Sequence, residues 1–112
     1  MSVYLSSQKI ISDWIDYNNH MNVSYYLLIF DKYGADTLND NFKMGEHSAK
    51  TTGKSTMIVE SNITYNMELK LDDEVDINLV YFDHDKKRLQ YKMEMIHKKK
   101  KFLASTIEVL AL

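Results

Sequence analysis

The chain has 112 residues, which is enough for one domain and too short for two. Its 16 acidic and 14 basic residues give a net charge of −2, so the overall charge provides no attraction to nucleic acid or to an anionic membrane. The chain has no cysteine, which excludes disulfides, thiolate nucleophiles and cysteine-ligated metal centres. We therefore expect a single domain over residues 1–112 that binds neither nucleic acid nor membrane.

The sequence shows no sign of export or membrane insertion. Its N-terminal residues, MSVYLSSQ, lack the basic region and long apolar run of a signal peptide. No stretch approaches the roughly 20 apolar residues that a membrane-spanning helix needs. These features predict a cytoplasmic protein. Because a chain of this length has a small core of marginal stability, we also expect it to self-associate.

The first predicted elements are a short strand near residues 9–12 and a helix that follows it. Asn22 is a suitable N-cap, and the apolar run Val23–Phe30 continues with helical character toward Leu38. This run is apolar on nearly every side, so the helix must be covered all round. All three glycines lie within residues 34–53, and this segment is predicted to interrupt the regular structure.

From Thr56 onward the sequence shows the two-residue period of β-strands. The pattern predicts four strands, over residues 57–65, 75–82, 89–96 and 102–112. In the first of them, Met57 and Tyr65 are predicted to lie on one face, with Ile58 and Glu60 on the other. One helix wrapped by one antiparallel sheet would bury both apolar surfaces, which indicates an α+β two-layer domain.

The segment between the first strand and the helix contains the residues best suited to chemistry. Asp16, Asn19, His20 and Asn22 are concentrated just before the start of the helix. The free N–H groups and the positive dipole at such a start favour an anion or a developing oxyanion. A carboxylate beside it can act as a base or a nucleophile. Local composition alone favours the simpler interpretation, in which Asp16, Asn19 and Asn22 only form turns and caps.

The same segment carries a resemblance to a known family. Residues 13–22, DWIDYNNHMN, and the helix VSYYLLIF resemble the D-x-D-x-x-G-H-x-N signature and central helix of hotdog-fold acyl-CoA thioesterases, the hydroxybenzoyl-CoA thioesterase-like superfamily. In these motifs the chain is most similar to the branch that contains betainyl- and carnitinyl-CoA thioesterases. The resemblance covers residues 10–112, including Gly53–Glu60, Ile63–Tyr65 and Glu68.

The resemblance implies a hotdog fold, with one long central helix wrapped by a five-stranded antiparallel sheet. It also implies a homodimer or a dimer of dimers, that is, a homotetramer, with the site at the dimer interface. The implied activity is hydrolysis of an acyl-CoA thioester, which needs neither a metal nor an organic cofactor. The alternative on the same fold is a non-catalytic module that binds acyl-CoA or lipid, or that serves only in dimerisation.

The family's functional residues transfer to matching positions of the signature. Asp16 takes the position of the catalytic carboxylate, as nucleophile or general base. His20 and Asn22 match the signature His and Asn, and the backbone N–H of Val23 matches the group that polarises the thioester carbonyl. Asn19 replaces the usual glycine, which is acceptable because asparagine also adopts positive φ. Asp16 and His20 alone are too few to indicate a metal site.

Substrate contacts are predicted at Glu60, Tyr17, Tyr25 and Asn19. Glu60 is an acidic residue in an otherwise apolar strand, where it either lines the acyl pocket or belongs to a solvated face. For an acyl group that carries a trimethylammonium, Glu60 together with the aromatic side chains of this region would form a cation-binding pocket. The aromatic candidates are Trp14, Tyr17, Tyr25 and Tyr65.

Two basic segments are candidates for the phosphates of CoA. Lys86, Lys87 and Arg88 form one, and the run Lys98–Lys101 forms the other. Such runs are usually solvated turns. Because the family holds the phosphates and adenine of CoA on the protein surface against basic groups, we assign CoA binding to Lys86, Lys87 and Arg88.

Overall fold

A computed structural model describes residues 2–38, 57–85 and 87–112. Of the predicted features, the segment 39–56 and Lys86 lie outside the described residues. The elements are β1 (Val3–Lys9), a 3₁₀ helix (Ser12–Trp14), α1 (Val23–Ile29), a π-helical segment (Phe30–Ala35), β2 (Ile58–Tyr65), β3 (Glu74–His84), β4 (Leu89–His97) and β5 (Leu103–Ala111).

The five strands form one antiparallel sheet in the order β1-β3-β4-β5-β2. The helical segment packs on one face of this sheet, where inward residues of β3, β4 and β5 form the core. The predicted architecture of one helix against a five-stranded antiparallel sheet is therefore confirmed. The first strand lies earlier than predicted, at Val3–Lys9. Its apolar and polar residues alternate only weakly, so the pattern does not indicate a strand there, and pairing with β3 along its whole length stabilises it.

The helix begins and continues as predicted, but its cover is incomplete. It runs from Val23 through the π-helical segment and remains helical to Leu38. Ile29 and Phe30 are fully buried, whereas Leu27 and Leu28 are 47% and 38% exposed. Within the described part of the chain, the apolar run is thus covered on one side only, which leaves an apolar surface for another contact.

Gly34 lies inside the helical segment rather than in the predicted interruption, and close packing explains why it is glycine. A Cβ atom at this position would lie 2.6 Å from Sδ of Met93 and 3.1 Å from Cγ2 of Ile77. The absence of a side chain therefore allows the helix to approach the sheet closely at β3 and β4.

A bulge in β2 changes which of its side chains face the helix. Ile58 pairs with Ala111 and Glu60 pairs with Leu110. Between these pairs β2 contains one residue more than β5, which is a β-bulge. Ala111 is buried, and Ile58 opposite it joins Ser61 on the helix side of the sheet. The prediction that Ile58 and Glu60 share a face is therefore wrong, because strict alternation does not continue through a bulge.

We expect Gly34→Ala to lower the free energy of unfolding by about 1–3 kcal/mol, because the new methyl group must displace buried Met93. The measurement is chemical denaturation followed by circular dichroism. Lys32→Ala, on the exposed side of the same segment, is the control and should change stability by less than about 0.5 kcal/mol. Equal stability of Gly34→Ala and the wild type would contradict this account of the helix position.

Candidate functional site

Residues 16–22 form a compact turn that closes on itself. The N–H of Asp16 donates to the His20 carbonyl at 3.0 Å, and the N–H of Asn19 donates to the Asp16 carbonyl at 3.0 Å. Asn19 has φ of 64°, as predicted for the residue that replaces glycine. An isolated bridge between Ile15 and Met21 holds the two ends of the turn together. The turn therefore fixes the backbone on which the Asp16 carboxylate is carried.

The Asp16 carboxylate is half-buried and lines a cavity. Its Oδ1 accepts the N–H of Asn18 at 2.9 Å, which orients the side chain. The cavity has a volume of about 470 Å³, and its lining includes Asp16, His20, Asn22, Val23, Tyr26 and Glu68. The structure thus brings the four predicted catalytic positions, Asp16, His20, Asn22 and Val23, to one cavity.

The start of α1 presents a free backbone donor to this cavity. Asn22 is the N-cap, as predicted, and its Oδ1 accepts the N–H of Ser24 at 3.0 Å and the Ser24 hydroxyl at 2.7 Å. The N–H of Val23, the first residue of the helix, has no acceptor within the described ranges. This N–H is available to an anionic or carbonyl oxygen in the cavity.

The turn is attached to the link between β2 and β3. The N–H of Met21 donates to the Leu69 carbonyl at 2.9 Å, and Leu69 is fully buried. The Tyr26 hydroxyl donates to the Met67 carbonyl at 3.2 Å and accepts the Leu69 N–H at 3.3 Å. Burial raises the pKa of Tyr26, and Glu68 adds to this against the opposing effect of the Leu69 bond. The hydroxyl therefore stays protonated and keeps donating at neutral pH.

His20 faces a carboxylate across the same cavity. Its Nε2 lies 3.2 Å from Oε2 of Glu68, and the His20 and Glu68 side chains are 36% and 70% exposed. Neither Glu68 nor Tyr26 is predicted from the sequence to be a site residue. No local pattern identifies either partner, because the contacts join the helix and turn to a link far away in the sequence.

A second cavity lies between the helix and the strands β2, β4 and β5. It has a volume of about 430 Å³, and its lining includes Leu27, Leu28, Ile58, Tyr91, Met93 and Val109. Burial raises the pKa of Tyr91 to about 12, and the charge of Asp31 acts in the same direction. Ser24, the residue after Val23, also lines this second cavity. The cavity offers a mainly apolar space next to the Asp16 cavity.

The predicted substrate contacts do not come together within one chain. Glu60 pairs with Leu110 on the face of the sheet away from the helix, and Tyr17 is 95% exposed. Tyr25 stacks on buried Trp14 at a centroid separation of 6.0 Å, which occupies one face of each ring. Tyr65 contacts the Tyr26 ring edge-to-face. A cation pocket built from Glu60 and these rings is therefore not formed by a single subunit.

The two basic segments lie at opposite ends of the sheet. Lys87 and Arg88 belong to the β3–β4 turn, where the Asp85 carboxylate accepts both of their N–H groups at 2.8 Å. These two bonds lower the pKa of Asp85. The Lys98–Lys101 segment follows β4 at the end where Lys98 pairs with Glu74. Glu68 lines both the Asp16 cavity and a neighbouring cavity that Lys100 also lines, so Asp16 lies at this end and the β3–β4 turn of its own chain lies at the other.

Two further features are absent from the described ranges. No group of three or more His, Asp or Glu side chains is placed there to hold a metal ion. No helix there is long and apolar enough to cross a membrane.

We expect Asn22→Ala to lower the free energy of unfolding by about 1 kcal/mol, because the Ser24 N–H loses its cap. Asn22→Ser is the matched control, since serine also caps helices, and it should retain most of that stability. Thermal and urea unfolding of the three proteins measure the difference. If the serine variant were as unstable as the alanine variant, the cap would not be the stabilising contact.

The profile of a protein family described as the thioesterase-like superfamily matches residues 12–112. Betainyl-CoA thioesterase of Pseudomonas aeruginosa is 29% identical over 80 residues, which are 71% of this chain and 50% of that protein. The chain therefore spans about half the length of this relative.

Solved structures include two relatives of comparable identity. A thioesterase of Pseudomonas putida, described as putative in its own report, superposes with a TM-score of 0.86 at 28% identity, covering 100% of this chain and 72% of its own. A Staphylococcus aureus protein in complex with CoA gives a TM-score of 0.83 at 29% identity, covering 100% of this chain and 70% of its own. The helix and sheet described above are shared with both.

Proposed function

Since the chain belongs to the thioesterase-like superfamily, we propose that it hydrolyses an acyl-CoA thioester to the free acid and CoA. The observation that carries the proposal is that the Asp16 carboxylate and the free N–H of Val23 border one cavity. The thioesterase relative and the structural relative with bound CoA support it. The hotdog fold alone would not, because one fold serves many functions.

The reaction follows from these two groups. The Val23 N–H donates to the thioester carbonyl oxygen and stabilises the negative charge that develops there. The Asp16 carboxylate then acts in one of two ways. It attacks the carbonyl carbon, expels CoA as the thiolate and leaves a mixed anhydride that water hydrolyses. Alternatively, it takes a proton from a water molecule that attacks the same carbon.

The neighbouring signature residues hold this geometry. Asn22 caps α1 and so fixes the start of the helix, where Val23 lines the cavity. Asn19 closes the turn through its positive φ, and His20 accepts the Asp16 N–H through its backbone carbonyl. The apolar cavity that begins at Ser24 is suited to the acyl group, because burial there removes apolar surface from water.

We further propose a homodimer formed along the edge strand β2. Among the described residues, β2 pairs with β5 along one backbone edge and with no strand along the other. Ile58 at its start and the preceding residue, Met57, are 52% and 67% exposed. The exposed Leu27 and Leu28 of α1 lie beside it at the apolar cavity. A second copy paired antiparallel along β2 would satisfy the free edge and cover this surface.

Such a dimer also gives a role to the distant basic turn. The Tyr65 end of β2 lies at the Asp16 cavity. The Ile58 end pairs with Ala111 of β5, and Ala111 pairs on its other side with Leu89, next to the β3–β4 turn. Antiparallel pairing places the Ile58 end of one subunit beside the Tyr65 end of the other. Lys87 and Arg88 of the partner subunit then lie about three strand spacings, roughly 14 Å, from β2 of the first subunit. At this distance they can reach the phosphates of a CoA bound to the first subunit. Glu60 likewise reaches a substrate only across this interface.

We expect Asp16→Asn to lower kcat at least about a hundredfold while leaving the fold intact, because the amide is neither a base nor an effective nucleophile. The assay is release of the free thiol from short, aromatic, long-chain and betainyl CoA thioesters. Asp13→Asn, an exposed carboxylate of the preceding 3₁₀ helix, is the control and should retain activity. Near wild-type hydrolysis by Asp16→Asn would contradict the assignment, and tight binding without thiol release would favour a non-catalytic binding module.

We expect the double substitution Lys87→Glu and Arg88→Glu to raise KM for the best acyl-CoA about tenfold or more, because it reverses charges proposed to face the phosphates. The same acyl group on pantetheine lacks the nucleotide phosphates, so its KM should not change. The control is Lys99→Glu with Lys100→Glu, which alters the other basic turn by the same charge. A larger effect of the control pair would transfer the phosphate contacts to that turn.

A further inference from the structure

The link between β2 and β3 contributes a side chain to the site that the signature does not include. Glu68 lies between Met67 and Leu69, and both of these neighbours bond to the Tyr26 hydroxyl through their backbones. Leu69 also accepts the Met21 N–H. The backbone on each side of Glu68 is therefore attached to the helix and to the Asp16 turn.

Two contacts at this end of the sheet pair a histidine with a carboxylate. His20–Glu68 borders the Asp16 cavity, whereas His97–Asp73, at 3.3 Å, does not line it. His20 Nε2 and Glu68 Oε2 are 3.2 Å apart, whereas the Lys9–Asp72 and Lys98–Glu74 pairs are separated by 3.6 and 3.7 Å. Exposed pairs between long, mobile side chains contribute little, because ordering them costs entropy. Here the backbone on each side of Glu68 is held by the Tyr26 hydroxyl, so the contact attaches the His20 side chain to a fixed segment.

The contact is coupled to Asp16 through one residue. The His20 carbonyl accepts the Asp16 N–H at 3.0 Å, and the His20 side chain is held by Glu68. If the imidazole loses its partner, the His20 backbone is freer to move, and the position of the Asp16 carboxylate becomes less defined. Displacements of this kind lower the rate of a step that depends on alignment more than they lower substrate binding.

We propose that Glu68 is a positioning residue, which holds the His20 imidazole and through it the Asp16 turn. This inference rests on the proposed thioesterase function, in which Asp16 is the reacting carboxylate. Glu68 acts by accepting the hydrogen on Nε2, and a glutamine can accept the same hydrogen through its amide oxygen.

The test combines kinetics with amide hydrogen exchange. Glu68→Ala and His20→Ala should each lower kcat by about three- to tenfold with little change in KM, and the double variant should be no worse than either one. Glu68→Gln should remain within about twofold of the wild type. Glu74→Ala, which removes a half-exposed carboxylate paired with Lys98, is the control and should leave kcat unchanged.

Exchange of the Asp16 amide, measured by NMR, gives a result that does not require activity. Glu68→Ala should accelerate it at least about threefold, and Glu68→Gln and Glu74→Ala should not. Additive losses in the double variant, or an Asp16 exchange rate unaffected by Glu68→Ala, would overturn the proposal. If the wild type releases no thiol from any acyl-CoA, the proposed function has failed, and the exchange experiment alone decides whether Glu68 positions the turn.

Discussion

The backbone hydrogen bond from Met21 to Leu69 is the contact on which the site depends most. It joins the polar turn that carries Asp16 to Leu69, a buried residue in the link between β2 and β3. The Tyr26 hydroxyl reinforces the same junction from the first turns of α1 by bonding to Met67 and Leu69. A short polar segment would otherwise have many conformations, and loss of that freedom is a large cost of folding. Because of this junction, the turn loses its conformational freedom when the chain folds and not when the substrate binds.

The helix is positioned at both ends by different kinds of contact. Near its start, polar bonds fix Asn22 and Tyr26. Farther along, the absence of a side chain at Gly34 lets the helix approach Met93 and Ile77. Between these points the helix and sheet separate enough to leave the apolar cavity next to Ser24. A polar reaction centre and an apolar space for an acyl group thus arise from the way one helix lies on one sheet.

The features that could be predicted from sequence are those that depend on local pattern. The N-cap Asn22, the helix from Val23 and the positive φ of Asn19 each follow from a residue's own chemistry and its neighbours. The Asp16 turn was identified by its composition and its resemblance to a family signature. Period-two alternation located the later strands but not the bulge after Ile58, which exists only in relation to β5. The His20–Glu68 contact was missed for the same reason, since it links two segments that only the fold brings together.

The most direct test of the central claim is a crystal structure with an inert substrate analogue in which a methylene group replaces the thioester sulfur of an acyl-CoA. The account predicts that the ketone oxygen of this analogue lies within hydrogen-bond distance of the Val23 N–H. It also predicts that the Asp16 carboxylate lies about 3–3.5 Å from the carbonyl carbon, the separation expected before attack, or bonds to a water molecule at that position. A carbonyl bound away from Asp16 and Val23 would contradict the assignment of this turn as the catalytic site.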